Sequence, residues 1–389
     1  MKKMGLMLAV IFLILVLPAS LVFAGGGREG AAAAGAAGKV SVMAVWGGQE
    51  LEVFKEMLKP FEAKTGIKVE YEGTRDLDAV LTTRVEAGNP PDIAGLPGPG
   101  KMAEFARARK LVDLSTVLDM NVVKRDYGQS WIDLGTVDGT YVGLFTKASI
   151  KGLIWYSPKQ QKASGFTIPK TWDEMLAVSK AIAAKGVKPW AIGIESGAAS
   201  GWVGTDWLEN IFLKMYGPAK YKDWYDGKLS WTSAEMKAVW MAFGQIVADP
   251  NMIYGGKQYV LSTNFGQAPQ PLFTNPPGAA FHHQASFIVG FIKEMFPDVK
   301  PMEDYNFFQF PSINAAYAKS VEAGGDVFGM FRDTPQAREL MKYLASPEAQ
   351  AYWVSGTGAL SPNKGVSLVF YPDDISKQSA KILNESQFV

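Results

Sequence analysis

The chain has 389 residues, a formal net charge of +1 and no cysteine. This length suits one large domain or two medium-sized domains of about 100–200 residues each, and the absence of cysteine excludes disulfides and thiolate metal sites. The balanced charge argues against nucleic acid or an anionic membrane as partner, because both require a basic surface.

Residues 1–24 have the pattern of an export signal. Two lysines precede an apolar run at residues 6–17, which ends at Pro18, and Ala24 supplies the small residue that a signal peptidase needs. A permanent membrane anchor is the alternative, since about 20 apolar residues span a bilayer. The short apolar centre favours cleavage near Ala24, and the residue that follows is Gly25, not a cysteine.

A Gly/Ala-rich tract at residues 25–38 predicts a flexible linker. The fold is expected to begin at Lys39, with short strands at residues 40–45, 67–71 and 92–96. Apolar residues at helical spacing predict a helix after each of the first two strands. Alternation of strand and helix at these lengths predicts a parallel, doubly wound α/β sheet.

The middle of the chain is predicted to be mostly helical. Thr171 with Glu174, and Thr232 with Glu235, have the spacing of capping boxes, which satisfy free backbone N–H groups at a helix start. Apolar residues at helical spacing after the second box predict a buried stripe that includes Trp240.

Two extended segments, residues 141–156 and 305–311, are long enough to pass between two lobes. We therefore expect lobe 1 to comprise residues 39–150 with 311–345, and lobe 2 to comprise residues 151–310 with 346–389.

The sequence gives little support for catalysis. It has no cysteine, no Gly-x-Ser-x-Gly elbow and no phosphate loop, and its only histidines are the adjacent His282 and His283. Side by side, these two would point apart, so no metal site and no cofactor are predicted. A secreted glycoside hydrolase stays open as an alternative, because its two carboxylates lie about 5–9.5 Å apart in space and at no fixed spacing in sequence.

The loop at residues 194–207 favours a sugar site. It brings Trp202 and Trp207 together with Glu195 and Asp206 before a helix. Sugars have apolar C–H faces and a rim of hydroxyls, so their sites combine aromatic rings with carboxylates, amides or arginine. The alternative is that both tryptophans fill the core beneath the loop.

Six segments in order carry a resemblance to the family 1 extracellular solute-binding proteins, the receptor subunits of bacterial carbohydrate ABC importers. They are residues 46–50, 88–93, 154–157, 169–174, 324–326 and 343–350. Residues 196–209, 272–278 and 283–287 are similar to the branch that binds α-glucosides such as maltose, sucrose and trehalose. Many relatives carry a lipidated cysteine at the cleavage point and continue for several tens of residues after the equivalent of Val389, so the resemblance implies an unlipidated chain that lacks part of its C-terminus.

The resemblance implies a two-lobed periplasmic-binding-protein fold of type II, with a doubly wound sheet flanked by helices in each lobe and crossover segments between them. It implies a sugar receptor, not an enzyme, which is monomeric, is confined to a periplasm and closes by a hinge around its ligand for delivery to an inner-membrane ABC permease.

The ligand is expected in the crevice outside the carboxyl ends of the strands. Tryptophans there would stack on sugar faces, carboxylates would accept hydroxyl hydrogens, and Arg75 would donate hydrogen bonds. Alternatively, Glu50 stabilises the first turn of its helix, and Arg75 and Asp76 form a solvated pair. The residues predicted to bind ligand are Trp46, Gly47, Glu50, Arg75, Asp76 and Pro97 from lobe 1, Trp155, Glu195, Ser196, Trp202, Asp206, Trp207, His283 and Gln284 from lobe 2, and Gly325 and Asp326, which return from lobe 1.

Overall fold

A computed structural model describes residues 38–385 and 387–388. The predicted export signal, its cleavage point and nearly all of the predicted linker therefore lie outside the described residues. No helix among the described residues is long and apolar enough to cross a membrane.

Strands and helices alternate in the first part of the described chain and later follow one another in runs of one kind. The strands are β1 (Gly38–Ala44), β2 (Ile67–Gly73), β3 (Ile93–Leu96), β4 (Thr136–Val137), β5 (Thr140–Tyr141), β6 (Gly143–Ile150), β7 (Leu153–Tyr156), β8 (Lys188–Trp190), β9 (Ala279–His283), β10 (Asn306–Gln309), β11 (Ser320–Val321), β12 (Ala323–Met330) and β13 (Gln387–Phe388). The helices are α1 (Gly48–Thr65), α2 (Leu77–Glu86), α3 (Pro99–Arg107), α4 (Met120–Asp126), α5 (Gln129–Leu134), α6 (Pro158–Ser164), α7 (Trp172–Ala184), α8 (Trp202–Tyr225), α9 (Ala234–Val247), α10 (Gly256–Ser262), α11 (Ile288–Met295), α12 (Pro335–Leu344), α13 (Pro347–Thr357) and α14 (Asp374–Glu385).

The first sheet has the strand order β2-β1-β3-β12-β6. Strands β2 and β3 both pair parallel with β1, as the alternation of strand and helix predicts. Strand β12 returns from late in the chain and runs antiparallel between β3 and β6, so the complete sheet is mixed. Every residue of the central strand β3 and of the edge strand β6 is buried, so both strands are covered on both faces.

The second sheet has the order β10-β7-β9-β8, with β8 parallel to β9 and the other pairs antiparallel. The chain leaves the first sheet after Ile150, enters the second at Leu153, and returns between Gln309 and Ala323. Both passages fall in or beside the two extended segments that the sequence indicates as crossovers. A separate core of aromatic and aliphatic side chains, centred on Trp190, Trp207 and Phe281, packs beneath the second sheet and its helices.

The predicted helix starts are mostly confirmed. Thr171 and Glu174 form a complete capping box at the start of α7. At α9 the capping residue is Ser233, one position later than predicted, and its hydroxyl accepts from the Met236 N–H. The prediction that Trp240 is buried is wrong, since 48% of it is exposed. Trp240 lies about 100° further round the helix than the fully buried Val239, which carries it off the core-facing stripe.

The segment after residue 346 begins against the first sheet, whereas the sequence prediction assigned it to lobe 2. Helix α13 packs along α1, and the fully buried Trp353 stacks on Phe54 with centroids 5.9 Å apart and meets Trp46 edge to face at 4.8 Å. The prediction is wrong for α13 because these rings complete the core under the first sheet.

Replacing Trp353 with Ala should remove this aromatic contact and destabilise the fold by about 3–5 kcal/mol, the usual cost of deleting a large core ring. Trp240→Ala is the matched control, because its half-exposed side chain should contribute within about 1 kcal/mol. Urea unfolding followed by circular dichroism measures both. Equal losses would contradict the packing of α13 described above.

Candidate functional site

Two adjoining cavities form a continuous cleft at the carboxyl ends of the parallel strands. The larger is about 430 Å³ and the smaller about 180 Å³, and the larger falls within the range of about 300–1,000 Å³ typical of small-molecule sites. Trp46, Arg75 and Pro97 line the cleft, and they follow β1, β2 and β3 respectively. The residues shared by both cavities are Val45, Trp46, Glu50, Arg75 and Phe287.

A cluster of one buried cation and two partly buried carboxylates forms the cleft surface on the side of the first sheet. The ammonium of Lys147 donates to the carboxylate of Glu50 and, at 3.1 Å, to Oδ2 of Asp326. Burial by itself would lower the pKa of Lys147, but Asp326 and Glu50 together raise it, so the group stays charged. We call Glu50, Lys147 and Asp326 the charged floor.

Trp46 and Gly325 position the charged floor. The indole Nε1 of Trp46 donates to Oδ2 of Asp326 at 2.8 Å, and the ring is only 2% exposed because Phe54, Phe328 and Trp353 pack around it. A Cβ at Gly325 would lie 2.5 Å from the Lys147 carbonyl oxygen. Glycine therefore allows β12 to approach β6 closely beside Lys147.

An aromatic wall lines the cleft with rings from α8, the loop after α10 and the start of α11. It consists of Trp202, Phe265, Phe287 and Phe291, with Phe265 packed edge to face against Trp202 at 5.1 Å and Phe291 at 5.3 Å. The Lys151 ammonium lies 4.9 Å from the centroid of the Trp202 ring. These contacts hold Trp202 and Phe287, both partly exposed, at the cavity surface.

The structure brings part of the predicted binding set to the cleft. The predicted residues that line a cavity are Trp46, Gly47, Glu50, Arg75, Pro97, Trp202, Gly325 and Asp326. Those that line neither cavity are Asp76, Trp155, Glu195, Ser196, Asp206, Trp207, His283 and Gln284. Asp76 is exposed at the start of α2, and its side chain forms no capping hydrogen bond.

Several of the predicted residues outside the cleft are buried in hydrophobic cores on the two faces of the second sheet: Trp207 lies in the core centred on Trp190, and Trp155 lies in the core that continues from the first sheet. Trp207 is fully buried and lies 4.4 Å from the His283 ring, and Trp155 is fully buried with its Nε1 donating to the Gln284 carbonyl at 2.9 Å. Burial, with the nearby His282 and the charge of Lys151, holds the pKa of His283 well below its usual range. His283 is thus a neutral core imidazole.

Glu195 and Ser196 shape the loop beside the cleft. The Glu195 carboxylate accepts from the Gly197 N–H at 2.6 Å and from Asn264 Nδ2 at 2.8 Å. These bonds, together with the charge of Arg75, lower the pKa of Glu195. Asn264 lines the larger cavity, so Glu195 contributes indirectly by fixing that amide.

Sequence reasoning missed Lys147, Lys151 and the phenylalanines of the wall. Lys147 did carry a detectable signal, because it is the one charged residue within the apolar strand β6 and a buried ammonium needs a partner. Phe265 gave none, since it reaches the cleft only through the tertiary packing of the loop after α10.

A second ion cluster joins both crossovers to α8. Lys151 bonds to Asp206 at 3.1 Å, and its backbone N–H donates to the Glu322 carbonyl at 2.9 Å. Carboxylate oxygens of Asp206, Glu209 and Glu322 lie within 4.8 Å of one another, while Asn210 Nδ2 donates to Glu322 at 2.5 Å. Lys151 already supplies positive charge to this group, which we call the crossover cluster.

Burial and the closeness of the carboxyl groups determine the protonation of the crossover cluster. Burial, reinforced by the charges of Glu209 and Asp206 and by a hydrogen bond with Glu209, raises the pKa of Glu322 well above its usual range. Burial also raises the pKa of Asp206, to about 7, against the opposing effect of Lys151. Burial acts to lower the pKa of Lys151, but the carboxylates outweigh it and raise that pKa. The folded chain therefore retains a proton among these carboxyl groups at pH values where exposed carboxyls have lost theirs.

Comparison with known proteins gives a consistent result. The family model for bacterial extracellular solute-binding proteins matches residues 47–351. The chain is 40% identical over 351 residues to the osmoprotective compounds-binding protein GgtB of Synechocystis sp., covering 90% of this chain and 82% of that protein. It is 32% identical over 363 residues to the alpha-glucosides-binding periplasmic protein AglE of Rhizobium meliloti, covering 90% and 78%.

Solved structures share the fold. A chitin oligosaccharide binding protein superposes with a TM-score of 0.77 at 20% identity, covering 90% of this chain and 87% of that one. Maltose-bound MalE3 of T. maritima superposes with a TM-score of 0.70 at 21% identity, covering 91% and 89%. These likenesses confirm the predicted two-lobed type II architecture.

Replacing Glu322 with Gln should change the pH dependence of stability. In the wild type the folded state holds a proton that the unfolded chain releases above the ordinary carboxyl pKa, so stability falls as pH rises from about 4.5 toward the raised folded-state pKa. Gln keeps an N–H donor toward Glu209 and cannot ionise, so the variant should gain stability relative to wild type as pH rises. Urea unfolding at pH 4.5, 6 and 7.5 measures this difference.

The exposed Glu303 provides the control for that experiment. Glu303→Gln should give a curve parallel to wild type across the same pH range. A parallel curve for Glu322→Gln would show that the crossover cluster does not hold a proton in the folded state.

Proposed function

Since the chain belongs to the family of bacterial extracellular solute-binding proteins, we propose that it is the receptor of a carbohydrate ABC importer and that it binds a small neutral glycoside, of the α-glucoside class, in the cleft. The proposed contacts come from the charged floor and Arg75 on one side and from the aromatic wall on the other. Closure around the ligand would present it to an inner-membrane permease.

The observation that carries this proposal is the placement of the aromatic wall opposite the charged floor. Trp202 and Phe287 offer flat apolar surfaces to the same cavity that Glu50, Lys147 and Asp326 line. A pyranose has apolar C–H faces and a rim of hydroxyls that both donate and accept hydrogen bonds. Such a ring would stack on the wall and direct its hydroxyls to the floor.

The charges of the cleft favour a neutral ligand. The carboxylates of Glu50 and Asp326 are balanced by Lys147 and Arg75 in the lining of the smaller cavity, and Lys151 is paired with Asp206. A cationic osmolyte would approach three positive side chains, and an anionic one would compete with two carboxylates. A ligand that exchanges hydroxyl hydrogen bonds without net charge avoids both penalties.

The relatives support the ligand class. AglE is named for binding alpha-glucosides, and GgtB for binding osmoprotective compounds. The name of AglE matches the ligand class proposed from the chemistry of the cleft, and the name of GgtB leaves room for it.

Hydrolysis is the alternative that this proposal rejects. The family and both relatives are binding proteins. Glu50 and Asp326 are held by the same ammonium, whereas a glycosidase needs one carboxyl group free to transfer a proton to the leaving group. We therefore propose that the chain binds glycosides without turnover.

The receptor would act as a monomer in a periplasm after cleavage near Ala24. Its two lobes would pivot about the crossovers near Lys151 and Glu322. The boundaries would be those predicted from the sequence, except that α13 and the segment after it, where Leu360 pairs with Ala148 and Asn363 with Tyr127, belong with the first sheet.

Isothermal titration with maltose, trehalose, sucrose and glucose should give saturable binding for at least one sugar, while glycine betaine should give no heat. Incubation with p-nitrophenyl α-glucoside should release no nitrophenol. A flat response to every sugar would contradict the proposed ligand class, and turnover would restore the hydrolase alternative.

Replacing Trp202 with Ala should weaken binding of the tightest sugar in that panel about tenfold, because ring stacking contributes over roughly 1 kcal/mol. The control is Trp231→Ala, which removes a tryptophan that is 54% exposed and lines neither cavity. Unchanged affinity in a folded Trp202→Ala variant would remove this ring from the binding site.

A further inference from the structure

Arg75 and Phe265 meet across the cleft. Arg75 follows β2 of the first sheet, whereas Phe265 belongs to the loop after α10 and packs on Trp202 at the start of α8. The guanidinium carbon of Arg75 lies 5.1 Å from the centroid of the Phe265 ring, within the range of a cation–π contact. The two side chains therefore bridge surfaces that belong to different sheets.

The hydrogen-bonding state of Arg75 differs from that of the other cations of the cleft. Lys147 is bound by two carboxylates and Lys151 by one, whereas no described residue within 38–388 accepts a hydrogen bond from Arg75. A cation–π contact made through the face of the planar guanidinium would leave the N–H groups, which lie in its plane, available at the edges. Arg75 lines both cavities, so these edges reach the junction between them.

Phe265 is supported on the opposite side by the aromatic wall and the neighbouring loop. It is 3% exposed although it lines the smaller cavity, and its backbone N–H donates to the Glu195 carbonyl at 3.1 Å. The Cβ of Arg75 lies 3.5 Å from the position that a Cβ would take at Gly197, in the same loop. The ring is thus held rigidly where the guanidinium reaches it.

We propose that Arg75 and Phe265 form a latch that determines closure and specificity: the guanidinium stacks on Phe265 across the cleft while its free edge binds hydroxyls of a ligand that spans both cavities. The inference rests on the proposed function for the identity of the ligand. A bound glycoside orients the guanidinium, and an oriented guanidinium strengthens the stack, so ligand binding and closure reinforce each other. A ligand confined to one cavity would gain less from the latch.

Binding by latch variants tests the inference. Arg75→Lys keeps the charge but loses the planar face, and Phe265→Leu keeps an apolar side chain but loses the ring. Each should weaken binding of the tightest disaccharide in the panel by about 3- to 30-fold, the range of a cation–π contact, with faster dissociation, and should weaken binding of methyl α-glucoside less. The double variant should bind about as weakly as the weaker single variant, because the two residues act as one unit.

Two control variants test whether the same kinds of substitution weaken ligand binding when they are made outside the cleft. Arg84→Lys alters a surface arginine paired with Glu72, and Phe370→Leu alters a ring that is 46% exposed and lines neither cleft cavity. Both should bind as wild type does. Phe265→Tyr keeps the ring face and should retain the coupling, which separates loss of the latch from misfolding of the Phe265→Leu variant.

A measurement without ligand separates failure of the latch from failure of the proposed function. The chain has no native cysteine, so spin labels can be attached at Asp78→Cys on α2 and Lys257→Cys on α10, which are both exposed. Double electron–electron resonance between these labels measures the distance across the cleft. Arg75→Lys and Phe265→Leu should each lengthen or broaden this distance in the free protein. Unchanged distances, or affinity losses that multiply in the double variant, would overturn the latch even if the wild type binds sugar.

Discussion

The buried ammonium of Lys147 is the constraint on which the cleft depends. It lies in β6, within a strand whose every residue is buried, and burying an unpaired charge costs several kcal/mol. Its carboxylate partners come from the start of α1 and from β12, two parts of the chain that are far apart in sequence. Satisfying one charge therefore brings these three elements to a common edge, and the carboxylates that bind Lys147 also line the cavity.

The sequence predicts those parts of the site that follow from local patterns. Strand ends are visible in the spacing of apolar residues, so the loops that carry Trp46, Arg75 and Pro97 could be placed at one edge before any contact was known. The charged floor and the aromatic wall could not be predicted in this way, because their residues meet only through tertiary contacts. Strand β12 inserts between β3 and β6 from the far end of the chain, and no local pattern predicts that it brings Asp326 to Lys147.

Helical geometry explains why the two tryptophans of the loop after residue 194 have different roles. Trp202 and Trp207 stand five residues apart in α8, which turns their side chains about 140° from each other. Only one of them can face the cleft when the helix packs on the second sheet. Trp202 reaches the cavity, and Trp207 fills the core against Trp190 and His283. Each of the two sequence-based alternatives thus describes one of the two rings.

The two ends of the cleft differ in whether their polar side chains already have protein partners. At the crossovers, Lys151 and Glu322 need a fixed set of partners on α8, because the Lys151 ammonium and the Glu322 carboxyl group are buried and would lose their partners in any rearrangement. Beside the aromatic wall, Arg75 has no hydrogen-bond acceptor for its N–H groups among the residues that the structure describes, and it can exchange solvent for ligand. A ligand shifts the balance between open and closed forms only by its greater affinity for the closed form. Such a difference arises at polar groups that lack a hydrogen-bond partner until the ligand binds. The ligand-dependent free energy of closure should therefore be concentrated at the Arg75 side of the cleft, while the crossover cluster keeps the pivot unchanged.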